Sequence, residues 1–94
     1  MAVVRKLKVR VAKDVLVKRV AGESVVLNLS AERYLGFDSV GTRMWEVLTT
    51  ANSVEEAAAS LLEEFEVERD RLFQDLERFI LELKTHGLVE VEEI

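Results

Sequence analysis

Residues 28–48 read NLSAERYLGFDSVGTRMWEVL and contain the transition on which the fold depends. Two short runs that favour β-structure, Val25 to Leu29 and Arg33 to Phe37, are separated by Ser30-Ala31-Glu32, a spacing typical of a tight hairpin. Directly after the second run the apolar residues change to helical spacing, and Asp38 stands at a suitable N-cap position. The stretch therefore predicts a hairpin whose second strand leads straight into a helix.

Upstream of this hairpin, apolar residues alternate with polar ones at the period of a half-buried strand. Leu7 to Val11 shows this alternation, and the run from Val15 to Val20 continues it after a polar break at Lys13-Asp14. Ala21-Gly22-Glu23 is the next predicted turn, because glycine allows a positive φ there. The N-terminal half predicts three or four short strands in an antiparallel meander that buries one face.

Three helical patterns follow the strands. The first spans about Ser39 to Thr49, and the second opens at a capping box formed by Ser53 and Glu56. The third begins near Glu68, where the N-cap is poor, and runs to about His86, with Gly87 as a suitable residue just past its end.

These elements predict one α+β domain over residues 1–94. Its architecture would be an N-terminal three- or four-stranded antiparallel sheet followed by three helices, which resembles a winged helix-turn-helix.

Composition argues against an enzyme. Apolar residues make up 49% of the chain and charged residues 33%, as in soluble globular proteins, and cysteine is absent. The one histidine, His86, falls in the predicted last turn of the third helix, where it would bond terminal carbonyl groups rather than act as a base or metal ligand. We expect no catalytic residue, no metal and no cofactor.

The sequence also lacks membrane and export signals. No apolar run approaches the roughly 18 residues that a transmembrane helix needs. The N-terminus alternates charges with Val and Leu, so it has no continuous apolar region of the kind found in a signal peptide. We therefore expect a cytoplasmic protein with no membrane partner.

The predicted shape alone would also fit a winged-helix DNA-binding regulator, which is the main alternative. The distribution of charge along the chain tests this alternative. The net charge is +6 over residues 1–20, −2 over residues 21–50 and −9 over residues 51–94. The third helix, which would enter the major groove, carries more acidic than basic residues when Glu68 is included. Repulsion from phosphates disfavours this function, and we expect no nucleic-acid partner.

The stretch GESVVLNLSAERYLGFDSVGTRMWEVL resembles the core of the PqqD-like family, the peptide-recognition elements of ribosomal peptide natural-product pathways. The later stretch FEVERDRLFQDLERFILELKTHGLVE resembles the family's third helix and its closing Gly-Leu-Val, so the resemblance covers roughly residues 7–91. Asn28 stands where the family commonly has Asp. The features that match in the first stretch are Tyr34, Asp38, Val40-Gly41 and Trp45.

The resemblance implies a non-catalytic module. Members of this family bind the leader of a precursor peptide as an added antiparallel strand, between the third strand of the sheet and the third helix, and present it to a processing enzyme. This chain is most similar to the recognition protein of lasso-peptide pathways, whose partner is a separate, transglutaminase-like cysteine protease that removes the leader. The alternative is the PqqD branch, which serves a radical SAM enzyme.

On this interpretation, the strand from Arg33 to Phe37 would supply main-chain hydrogen bonds, and pockets beside it would supply selectivity. Alternation puts Tyr34 and Gly36 on one face of that strand, and either face can point toward the helices. The apolar residues of the third helix fit an ordinary core equally well. The predicted peptide-binding residues are Arg33, Tyr34, Leu35, Gly36, Phe37, Leu72, Asp75, Leu76, Arg78, Phe79 and Leu83.

Two alternatives would leave that strand without a peptide. Leu88 to Glu92 alternates again and forms either a short strand or a frayed tail; as a strand, its residues up to Val91 could pair with the free edge of Arg33 to Phe37. An exposed edge also favours an edge-strand homodimer.

Overall fold

Eight elements follow one another along residues 6–94, the part of the chain that the computed structural model describes. Residues 1–5, which belong to the predicted domain and its basic N-terminal segment, lie outside this range. An antiparallel sheet followed by three helices confirms the predicted α+β class. The elements are β1 (Leu7–Val11), β2 (Val15–Val20), β3 (Glu23–Asn28), β4 (Arg33–Phe37), α1 (Ser39–Thr50), α2 (Val54–Glu64), α3 (Arg69–Thr85) and β5 (Val89–Glu93).

The strands form two antiparallel sheets. The predicted meander comprises β2, β3 and β4, which pair in that order. β1 pairs instead with β5, with Leu7 opposite Glu93 and Val11 opposite Val89. Alternation in a sequence shows which side chains of a strand are buried, but it does not identify the partner strand.

The β2–β3 hairpin determines where the backbone groups of the larger sheet point. Its two central residues, Ala21 and Gly22, have φ angles of 54° and 84°, as in a type I′ turn. Such a turn is closed by a hydrogen-bonded pair, here Val20 and Glu23, so every second residue of β3 bonds to β2. The alternate residues of β3 bond to β4, and their partners there are Arg33, Leu35 and Phe37.

The helix starts follow the caps that the sequence predicts. The Asp38 carboxylate accepts a hydrogen bond from the Gly41 amide at 2.8 Å, and the Ser53 hydroxyl accepts one from the Glu56 amide at 3.1 Å. Glu68, at the start of α3, makes no side-chain cap. Side-chain oxygens therefore cap the starts of α1 and α2, whereas α3 starts without a cap from its N-cap side chain.

A single apolar core joins both sheets to all three helices. A buried hydrogen bond of 2.7 Å between the hydroxyls of Ser24 and Thr42 connects β3 to α1 within it, so neither hydroxyl is left without a partner. The largest side chains with almost no exposed surface are Val9, Val26, Leu48, Val54, Leu61, Leu76, Leu83 and Leu88.

Candidate functional site

β4 is an edge strand of the larger sheet. β3 pairs with one side of it, and no strand within residues 6–94 pairs with the other side, which we call the β4 edge. The alternative in which Leu88 to Val91 covers this edge is wrong, because β5 pairs with β1. The apolar residues of β5, Val89 and Val91, pack on the core from there.

Two residues offer backbone groups along the β4 edge. Because Arg33, Leu35 and Phe37 bond to β3, the amide and carbonyl groups of Tyr34 and Gly36 point away from the sheet. A row of outward donors and acceptors of this kind is a template for one more strand. The edge can therefore form up to four backbone hydrogen bonds with an extended peptide.

The side chains of β4 divide between the two faces of the sheet. The Phe37 ring lies 5.2 Å from the Phe79 ring and 6.3 Å from the Trp45 ring, measured between centroids, and Leu35 packs against the core. Tyr34 is 66% exposed on the opposite face, which we call the outer face. Of the two sets that alternation allows, the set containing Leu35 and Phe37 faces the helices.

α3 runs beside the β4 edge and contacts β4 near both ends. Phe79 meets Phe37 at one end, and at the other the Arg33 guanidinium donates a hydrogen bond of 3.2 Å to the Thr85 carbonyl oxygen. β4 and α3 therefore run in opposite directions. We call the region between these two contacts, bounded by the β4 edge and α3, the cleft.

The predicted α3 residues divide into an accessible set and a buried set. Phe79 is half-buried, and Arg78 donates to the Asp75 carboxylate at 2.6 Å on the same side of the helix. The other three belong to the core and have little or no exposed surface, so they support the cleft from beneath and offer no surface to a ligand in this conformation. These three are Leu72, Leu76 and Leu83.

Asn28 holds the C-terminal end of α3 against the sheet. Its side-chain amide donates to the Gly87 carbonyl oxygen at 2.6 Å, and its side-chain oxygen accepts from the Ala31 amide at 2.9 Å. An Asp at this position accepts hydrogen bonds but, when ionised, donates none. The Asn therefore makes a contact between β3 and the α3–β5 junction that an Asp carboxylate does not make.

The turn that Asn28 contacts has a defined geometry. Gly87 has a φ of 71°, its amide bonds to the Lys84 carbonyl at 2.9 Å, and the Leu88 amide bonds to the Leu83 carbonyl at 2.9 Å. This pattern is a Schellman motif, which ends the helix at a fixed residue. The predicted role of Gly87 agrees with it, whereas the contact with Asn28, which is 59 residues away, has no local sequence signal.

His86 takes the position that the sequence predicts, at the C-terminal end of α3. Its Nδ1 lies 3.0 Å from the Glu82 carbonyl oxygen, as expected for a side chain that bonds the last turn of a helix. Within residues 6–94, no three His, Cys, Asp or Glu side chains are grouped closely enough to hold a metal ion. In the same range, no helix is long and apolar enough to cross a membrane.

A bidentate ion pair between α1 and α2 lies away from the cleft. Arg43 on α1 donates to both carboxylate oxygens of Glu64 on α2, with Nη2 to Oε2 at 2.6 Å and Nε to Oε1 at 2.8 Å. The same hydrogen bonds hold the pKa of Glu64 below its usual range. The chemistry offered at the cleft itself is backbone hydrogen bonding, apolar contact and the Asp75–Arg78 ion pair.

Comparison with known proteins identifies relatives of this architecture. The family described as coenzyme PQQ synthesis protein D (PqqD) matches residues 23–89, which include β3, β4 and the whole of α3. Among solved structures, the chain is similar to "TbiB1 in Complex with the TbiA(beta) Leader Peptide", with 30% sequence identity, a TM-score of 0.80, and coverage of 86% of this chain and 94% of that chain. A comparison with curated proteins gave no match. Since the family match spans both sides of the cleft and most of the sequence, this chain belongs to the PqqD family.

Proposed function

We propose that this protein is a non-catalytic adaptor that binds the leader region of a ribosomally made precursor peptide and delivers it to a processing enzyme. The observation that carries the proposal is the β4 edge, which no strand within residues 6–94 covers and where the backbone groups of Tyr34 and Gly36 point away from β3. The similar TbiB1 structure, which is a complex with the TbiA(beta) leader peptide, supports it.

The leader would bind as an added β-strand. Hydrogen bonds to Tyr34 and Gly36 depend little on the ligand's sequence, so they supply general affinity. The peptide residue opposite Leu35 would point into the cleft toward Phe79, where an apolar side chain is favoured. The salt-bridged Asp75 and Arg78 would lie near the Phe37 end of the cleft and bias the next inward-facing residue toward polar groups.

In this proposal the eleven residues predicted to bind the peptide do not all contact it. Those of β4 pair with the peptide or contact its side chains, and Asp75, Arg78 and Phe79 form the accessible side of α3. Leu72, Leu76 and Leu83 fix the position of that helix from within the core.

The receiving enzyme completes the proposal. We favour a leader of the lasso-peptide type and a separate leader peptidase, such as a transglutaminase-like cysteine protease, as the partner. The alternative is a peptide chaperone of the PqqD type that serves a radical SAM enzyme. Addition of this protein should raise the rate of leader cleavage in the first case and the rate of radical modification in the second.

Fluorescence anisotropy tests the binding step directly. Labelled leader peptides, beginning with the TbiA(beta) leader, are titrated with the protein, and duplex DNA serves as the control. We expect saturable binding to a leader and no DNA signal. Salt-sensitive DNA binding without binding to any leader would instead support a winged-helix regulator.

Self-association through the same edge is the competing use of β4. Sedimentation velocity with and without leader separates the two cases, because a homodimer built on the β4 edge must dissociate when the peptide binds. A dimer that persists at saturating peptide would use a different surface.

A further inference from the structure

We propose that Gly36 forms a second recognition site, on the outer face of the sheet, for one bulky aromatic or aliphatic side chain of the bound peptide. This inference rests on the proposed function. The site lies on the face of the sheet opposite the cleft. In an extended peptide, the residue next to one that contacts α3 would point toward this face.

The first observation is a gap in the outer face at the β4 edge. Gly36 lies in one cross-strand row with Val25 and Lys18. A Cβ atom added to Gly36 would meet no atom of residues 6–94 within 4 Å, so among the described residues nothing fills the space above its backbone. Gly36 and Val25 line an open depression of about 880 Å³, together with Val20 and Leu27. Its lining also includes charged residues, namely Lys18, Glu23 and Asp38.

The second observation is that the surface of this depression is mostly apolar and that its valine side chains are accessible. Val25 is 38% exposed and Val20 is 74% exposed, whereas Val26, which follows Val25 and points in the opposite direction, is fully buried. Exposed apolar surface next to a binding edge gains free energy when a ligand covers it. Lys18 stands at the far end of the row, where its ammonium group can approach the face of an aromatic ring.

Strand geometry brings one peptide residue to this gap. The residue hydrogen-bonded to Gly36 has its Cα about 5.5 Å away, and its side chain leaves the sheet on the same face as a Gly36 side chain would. A large side chain can therefore lie across the bare Gly36 backbone and contact Val25. Aromatic residues opposite edge glycines stabilise strand pairs in this way.

The occupant follows from continuity with the β4 edge. Any strand paired with Tyr34 and Gly36 must direct one residue over the gap, whichever direction the strand runs. A partner protein that docked on the outer face without pairing with β4 would have no need for a glycine at position 36. The site therefore selects a peptide that carries a bulky apolar residue on its outer face as well as one on its cleft face.

A parallel selection tests this inference with no assumption about the sequence of the ligand. Displayed random peptides, each long enough to span β4, are selected on the wild-type protein, on Gly36→Val and on Leu16→Val. The Leu16 position lies on the same outer face but two strands away, so Leu16→Val is the matched control. Circular dichroism checks the fold, and Gly36→Ala replaces Gly36→Val if the larger side chain prevents folding.

We expect wild type and Leu16→Val to enrich Phe, Tyr, Trp or Leu at two neighbouring positions of the peptide strand, one for each face. Gly36→Val should lose the enrichment at one of them and keep the other. Replacing that one residue by Ala in a selected peptide should weaken binding to wild type about tenfold, the loss expected for an apolar side chain of this size, and should weaken binding to Gly36→Val much less.

The selection distinguishes failure of the proposed peptide-binding function from failure of the Gly36 site. If no peptide is enriched on wild type, the proposed peptide-binding function is itself wrong. If peptides are enriched but Gly36→Val selects the same outer-face residues, the peptide binds without the Gly36 site and this inference is overturned.

Discussion

The two edges of the β2–β3–β4 sheet differ in charge. β2 carries Lys18 and Arg19 in its C-terminal half, and Arg19 forms an ion pair with Glu46. The central residues of β4, Tyr34 to Gly36, carry no charge, and the guanidinium of Arg33 is bonded to the Thr85 carbonyl. Charged residues on an edge strand discourage pairing with another chain. One sheet therefore has an edge protected against strand addition and an edge suited to it.

The largest effect is expected from proline substitutions in β4. Their result depends on whether the replaced amide bonds to β3 or points away from the sheet. Leu35→Pro should destabilise the domain by about 3 kcal/mol, because it removes the amide that bonds to Val26 and leaves the buried Val26 carbonyl without that donor. Tyr34→Pro should leave the fold largely intact and weaken leader binding at least about tenfold, because it removes an outward donor. Chemical denaturation and anisotropy measure the two effects.

Tyr34→Ala, which keeps the amide, is the control for the lost side chain. If Leu35→Pro folded normally while Tyr34→Pro unfolded, the inward and outward residues of β4 would be the reverse of those assigned here.

Asn28→Asp should give the next largest effect. It replaces the amide donor to the Gly87 carbonyl by a carboxylate, which repels that oxygen, so we expect a loss of about 1 to 3 kcal/mol in the free energy of unfolding. Leader affinity should also fall, because the C-terminal end of α3 is no longer held beside the β4 edge. Thermal denaturation and anisotropy measure both quantities.

Ser30→Ala, an exposed change in the same β3–β4 turn, is the matched control for Asn28→Asp and should have a smaller effect. A stable Asn28→Asp protein with unchanged affinity would show that the contact with Gly87 does not position α3.

Removing a charge from β2 should make the two edges more alike. Lys18→Val leaves Val15 to Val20 with Arg19 as its one charged residue, so we expect a weak dimer with a Kd on the order of 100 µM. Sedimentation equilibrium detects it, and Lys13→Val, in the preceding turn, should remain monomeric. A monomeric Lys18→Val protein would mean that Arg19 alone protects this edge.

The smallest effect is expected away from both edges. Arg43 lowers the pKa of Glu64, so the pair stabilises the fold above the usual pKa of a glutamate, and this stabilisation is lost as the pH falls through the lowered pKa. Both groups are exposed to solvent, so Arg43→Gln should lower Tm by only about 2 °C or less near pH 7. The difference from wild type should shrink as the pH falls through the lowered pKa of Glu64 and disappear once that carboxylate is protonated.

A Tm difference that persisted in acid would assign the effect of Arg43→Gln to helix packing rather than to the ion pair. Leader binding should be unaffected at either pH, because Arg43 and Glu64 lie outside the cleft.

The sequence predicts most of the fold because its signals are local. Alternation in Val25 to Phe37, the caps at Asp38 and Ser53, and Gly87 after α3 each depend on neighbouring residues. The pairing of β1 with β5 is not local, so alternation within β1 could not predict it. The same limit applies to Asn28, whose partner lies in a distant turn.

The candidate site was predictable in its strand but not in its helix. The sequence predicts that Arg33 to Phe37 forms an edge, whereas turn geometry is needed to show that Tyr34 and Gly36 offer the free groups. The apolar stripe of α3 is wide, and helical spacing does not give its rotation relative to the sheet. Leu76 and Phe79 are therefore equivalent in the sequence, although only Phe79 has accessible surface.

The pairing of β1 with β5 also implies an order of folding. The β2–β3 and β3–β4 hairpins close over short turns, whereas Leu7 reaches Glu93 only after nearly the whole domain has been made. Local contacts form faster than those that close long loops. The β4 edge should therefore exist before β5 and the end of α3 are fixed in place. A newly made chain would pass through a stage in which this edge is exposed, and premature peptide capture or aggregation would compete with completion of the fold.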